Sequence, residues 1–195
     1  MDGDYLVRTG DTVRSMRCLF DGEYGIDAYL VTNGVRTNKH TDANSCPTGT
    51  DVYVPRTRTI LMKAIEEFGN PARFVGIYGN EDGCGSDRTA CRLPMNSDNK
   101  EARMHWTSVA PSTGGPAAPW FVRDIAYSQP SGDYTAGCWL GGFGGPDAHG
   151  LRFNDLRCMY GYTQYLCSTN AWTHMPPSPP VPPPRPPHAP PLPFS

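Results

Sequence analysis

Seven cysteines constrain this chain more than any other feature: Cys18, Cys46, Cys84, Cys91, Cys138, Cys158 and Cys167. They are spread along 195 residues, and the nearest pair, Cys84 and Cys91, has six residues between them. Zinc sites bring cysteines in closer pairs, with two to four residues between ligands. Wide spacing in a chain with 21 Gly and 21 Pro and 18% charged residues points to disulfides and an oxidising compartment. The odd count leaves one cysteine without a partner inside the chain. Met1 to Asp4 is acidic and polar, unlike a signal peptide. Extracellular cysteines without a leader lead us to expect a truncated N-terminus.

The length suits one domain with a sizeable core and a tail. A formal net charge of −2, with both signs spread along the chain, gives no basic stripe for nucleic acid. There is no run of 18 apolar residues to span a membrane.

Three strands are expected first, over Asp4–Val7, Val13–Phe20 and Tyr24–Val31, with Gly10-Asp11 and Asn33-Gly34 as turn signals. Cys46-Pro47-Thr48-Gly49 reads as a turn into a strand at Val52-Tyr53-Val54. From Thr57 the period changes. Ile60, Leu61, Ala64, Ile65 and Phe68 share one helical face, a threonine can cap the start, and Gly69 stands where the helix should stop. Phe74-Val75-Gly76-Ile77 reads as a buried strand, Met104–Val109 as a strand with Trp106, and Trp120-Phe121-Val122 as another. Glu81–Asn99 is loop-rich, and Cys84 and Cys91 are close enough to staple it.

Two clusters precede the last cysteines. One is Gln129-Pro130-Ser131-Gly132-Asp133, before Cys138; the other is Phe153-Asn154-Asp155, before Cys158. With Cys167 behind them, they resemble the C-terminal half of a C-type lectin-like domain. That family has a Gln-Pro-Asp or Glu-Pro-Asn triplet, a cysteine, a Trp-Asn-Asp triplet and two closing cysteines. The start of its core, a cysteine and a short strand before an amphipathic helix, is similar to Cys46–Phe68. The resemblance covers about Cys46 to Cys167 and has no counterpart of the family's second helix. It implies an α+β fold of mostly antiparallel strands and long loops with one clear helix. It also implies disulfides Cys46–Cys167 and Cys138–Cys158. The opening strands resemble, over about twenty residues, the start of fibrinogen-like domains. There the counterpart of Cys18 pairs with a cysteine further upstream, so Cys18 is the expected unpaired cysteine. We therefore divide the chain into an N-terminal strand region (1–45) packed on the core, a lectin-like domain (46–170) and a tail (171–195).

In lectins of this fold one calcium ion bridges the two triplets and the sugar hydroxyls. The resemblance implies Gln129, Ser131, Asn154 and Asp155 for ligand binding, and Gln129, Asn154 and Asp155 for the metal; Asp133 is expected to reach in to both in place of the family's later acid. Calcium takes six to eight oxygens, several from carboxylates. Ser131 stands where the family has an amide or acid, and Ala136 where it has a later acid. The expected calcium site is therefore weak. The same residues also suit an ordinary turn. Trp139, with Tyr127 and Tyr134, either stacks on a sugar or belongs to the core. No Gly-x-Ser-x-Gly elbow, phosphate loop or His-Glu-x-x-His helix occurs, and the five histidines are scattered. We expect a non-catalytic module that binds a glycan or glycoprotein, or else a structural or protein-binding module with an inert site.

Twelve of the eighteen residues from Pro176 to Pro193 are proline. Such a segment adopts extended polyproline II rather than a packed core. Pro180–Arg185 fits a Pro-x-x-Pro-x-Arg ligand for an SH3-type groove, but those grooves are cytosolic. A rigid spacer presenting several weak sites suits an outside compartment better.

Overall fold

The computed structural model describes residues 2–9, 11–22, 24–35, 39–79, 106–110, 139–143, 152–155, 161–171 and 173–174. They form mostly antiparallel strands with one α-helix and a disulfide, an α+β arrangement.

Strand β1 (Gly3–Thr9) and strand β2 (Thr12–Phe20) form a hairpin in register from Gly3 opposite Cys18 to Thr9 opposite Thr12. Strand β3 (Tyr24–Val31) follows through a turn in which Asp21 N–H bonds to Tyr24 O at 2.9 Å and Tyr24 N–H to Asp21 Oδ1 at 2.8 Å. β3 then changes neighbour. Its first part, Gly25 to Ala28, pairs with β2; Tyr29 to Val31 pair with β9 (Tyr165–Ser168). On the other side of β9 lies β4 (Asp51–Val52), and β10 (Thr173–His174) pairs with the start of β3. The N-terminal strands thus share one sheet with β9 and β10. β10 lies inside the segment assigned from the sequence to the tail.

A second sheet runs β6-β5-β7-β8, from Trp106–Ser108, Phe74–Gly79, Trp139–Phe143 and Arg152–Asp155. Helix α1 (Arg58–Phe68) leads into it through a 3₁₀ turn at Asn70–Arg73. The helix is bounded as its sequence expects. Thr57, in extended backbone, accepts from Ile60 N–H with its side chain, and Gly69 closes the other end at φ 66°, a left-handed conformation. Ile60, Leu61 and Ala64 are buried, with Ile65 and Phe68 at the margin.

Two apolar clusters fill the interior. The larger joins α1 to Leu19, Ile26 and Ala28 of the first sheet and Val75, Ile77 and Leu140 of the second. The smaller gathers Val31, Val52, Phe74, Trp139, Tyr165 and Cys167. Gly76 lets the two halves meet, because a Cβ there would collide with the Val52 carbonyl oxygen. Its N–H bonds to Tyr53 O at 2.7 Å instead.

The strand expected at Val52-Tyr53-Val54 stops at Val52. Tyr53 N–H still bonds to Leu166 O at 3.0 Å, but Val54 N–H turns to the Asn170 side chain at 2.9 Å. A side-chain acceptor there replaces the next rung of the ladder. Cys46 and Cys167 are disulfide-bonded with Cα atoms 5.5 Å apart, the pairing that the lectin-like resemblance implied. Among the described residues Cys18 forms no disulfide. Cys84, Cys91, Cys138 and Cys158 lie outside the described residues, as does the Trp120-Phe121-Val122 strand.

Candidate functional site

Of the ligand residues expected from sequence, Gln129, Ser131 and Asp133 lie outside the described residues. Asn154 and Asp155 end β8. Pairing with β7 sets Asn154 opposite Gly141 and Asp155 opposite Leu140. Gly141 in turn lies opposite Phe74 on β5. Residues directly opposite on paired strands share a face, so half-buried Asn154 is on the Phe74 side of the sheet.

That side carries an aromatic cluster. Trp139 is only 2% exposed and belongs to it. Phe74 and Tyr78 meet the Trp139 ring edge to face, with centroids at 6.0 and 5.5 Å. Tyr162 stacks on Phe74 at 4.1 Å. Of the two roles open to Trp139, the structure gives it the core; a ring so covered offers no face to a sugar. Its indole N–H is buried, with no hydrogen-bond partner among the described residues.

His40 completes the cluster. Its ring lies flat on Tyr78, with centroids 3.9 Å apart and planes 5° off parallel, and meets Trp139 edge-on at 6.4 Å. Asp51 is its electrostatic neighbour. Burial pushes the Asp51 carboxyl above its ordinary value, against the opposing pull of Val52 N–H, Asn44 and the His40 charge. Asp51 Oδ1 accepts from Val52 N–H at 2.7 Å and from Asn44 Nδ2 at 3.1 Å. Burial, and then the Asp51 charge, raise the Tyr78 phenol as well. Beside Asp51 opens a cleft of about 260 Å³, lined by Gly49, Thr50, Asp51, Val109, Ala110 and Thr169. It offers hydrogen-bonding oxygens and one acid. His40 is one of five scattered histidines, and the sequence marks neither it nor Asp51 as part of a site. Nothing in the spacing of positions 40, 51 and 78 announces that they meet.

A second polar cluster braces the sheet. Asp27 on β3 accepts from Ser168 Oγ at 2.7 Å and from Thr169 Oγ1 and N–H at 2.9 and 3.1 Å. Asn170, at φ 52° and 1% exposed, receives Val54 N–H and donates to Val52 O at 3.1 Å. Its own N–H bonds to Ser168 Oγ at 2.9 Å, and its carbonyl accepts from buried Arg56. Burial lowers the Arg56 guanidinium to about 10. Partners on every side make this cluster a clamp on the β4–β9 junction. Asn tolerates the left-handed conformation better than most residues, which suits it to the corner.

Among the described residues no group of three His, Cys, Asp or Glu side chains could hold a metal ion. Of the calcium set implied by the resemblance, Asn154 and Asp155 are described, and Gln129 and Asp133 lie outside the described residues. No described helix is long and apolar enough to cross a membrane. Comparison with protein-family models gives no match, and comparisons with curated proteins and with solved structures give none either.

Proposed function

We propose that this chain is an extracellular, non-catalytic recognition module of C-type lectin-like architecture that binds carbohydrate weakly with the help of calcium. The observation that carries this reading is how the domain closes on itself. β9 lies between β3 and β4, and Cys46–Cys167 ties that closure covalently. In the resembled family the outer disulfide joins the same two parts of the core. The loop bearing Gln129, Ser131 and Asp133, with Asn154 and Asp155 of β8, would hold calcium and the sugar hydroxyls. The disulfide also agrees with an oxidising compartment. A glycan or glycoprotein is the partner, and the proline-rich tail is the spacer that presents several copies.

One observation favours a second reading, a protein-binding module of the same fold with an inert site. Trp139, the one expected stacking residue that is described, is buried in the aromatic cluster. Affinity on immobilised sugars separates the two. Retention that needs calcium, and that chelator or Asp155→Ala abolishes, supports the lectin. An unsubstituted chain that folds, binds no sugar and shows no thermal shift with millimolar calcium supports the inert module.

A further inference from the structure

We propose that strand β1 is a self-complementary edge through which two copies of this chain pair antiparallel into a symmetric dimer. Among the described residues β1 is paired on one side only, with β2. The outer part of the hairpin is less supported still. β3 reaches only Arg17 to Phe20 of β2, so among the described strands the outer part of the hairpin is paired only within itself. An isolated two-stranded ribbon is marginal in water, and a bare edge of backbone N–H and C=O groups is a template for another strand. The exposed apolar side chains gather here: Leu6 is 78%, Val13 55% and Tyr5 43% exposed.

The sequence of the edge says what fits it. β1 reads Gly-Asp-Tyr-Leu-Val-Arg-Thr from Gly3 to Thr9. Antiparallel pairing of two copies about Leu6 sets Leu6 opposite Leu6, Tyr5 opposite Val7 and Asp4 opposite Arg8. Each charged pair then occurs twice, and each Tyr faces a β-branched residue; both pair types favour a sheet. Asp4 and Arg8 are exposed. Within one chain Asp4 has Arg17 at 3.8 Å, and Arg17 continues to Glu67 at 3.3 Å. Arg8 has no acidic partner among the described residues. Its counterpart in the proposed pairing is Asp4 of the second copy, which would extend the Glu67–Arg17–Asp4 chain of charge across the joint. A two-fold interface presents the same patch from both sides, which this strand can do. Shifting the register by one residue sets Asp4 opposite Val7 and loses the match.

The test is sedimentation equilibrium of the full chain, with Asp4→Arg, Arg8→Asp and the double exchange. Both positions of change are exposed on the hairpin, and unchanged melting checks the fold. Dimer that forms with rising concentration, weakens about tenfold or more in each single variant and returns in the double exchange is the expected result. A chain that stays monomeric up to roughly 1 mM, the weak end of specific association, overturns the proposal. So does a dimer that the single exchanges leave intact or that the double exchange fails to restore.

Discussion

Asp51 is the residue where local chemistry and folding meet most directly. Its carboxyl begins β4, faces the cleft and lies near His40, yet burial costs its charged form enough to raise its pKa. The linkage sign follows. A carboxyl whose folded pKa exceeds its unfolded value holds its proton longer in the native state. Its unfavourable contribution is absent below the unfolded value of about 3.8 and grows as pH rises through the folded value. Asp51→Asn keeps an oxygen for Val52 N–H and Asn44 but removes the charge. Urea denaturation at several pH values should find the variant no more stable than wild type in strong acid and more stable by pH 7. A variant that is less stable at neutral pH would mean that the attraction of His40 outweighs burial. Little of this was legible beforehand. Trp139 could not be assigned because a lone tryptophan suits a binding face and a core equally well. What decided it was contact with Phe74 and Tyr78 of β5 and with His40 from a separate segment.

Elements defined by local chemistry were the most legible. The apolar period from Ile60 to Phe68, a threonine before it and a glycine after it specify α1 without outside help. The Thr57 hydroxyl satisfies one of the N–H groups left open at a helix start. Thr57→Ala should cost about 1 kcal/mol in chemical denaturation, and Thr57→Ser should restore most of it. An unchanged midpoint in Thr57→Ala would show that packing alone holds the first turn. The hairpin β1–β2 and strand β3 also fell where alternation and turn signals put them. β4 did not, because its end is decided by Asn170, more than a hundred residues away. A strand boundary set by a distant side chain leaves no local mark. β10 escaped for a similar reason: its two residues become a strand only by lying beside Gly25 and Tyr24.

For the whole molecule, closure is the governing feature. The Cys46–Cys167 bond spans a sequence separation of 121, and β9 places the second cysteine between β3 and β4. A loop of that length restrains the unfolded chain strongly, so replacing both cysteines by serine should cost about 4–5 kcal/mol on the chain-entropy model. A loss near zero would mean that the β4–β9 contacts and the Asn170 clamp fix the closure by themselves. The α+β class and this bond were foreseeable from cysteine order and the lectin-like triplets. The joining of the N-terminal strands to β9 was not, since strand neighbours far apart in sequence are set by tertiary packing. The candidate site divides the same way. Asn154 and Asp155 were visible as a motif, whereas the His40–Tyr78–Asp51 grouping exists only in three dimensions. The proposal that this closed domain recognises carbohydrate is tested most directly by calcium titration followed by binding to immobilised sugars. Millimolar calcium should raise the melting temperature and support sugar retention, and Asp155→Ala should remove both without unfolding the protein. No shift and no retention at any calcium concentration would contradict it.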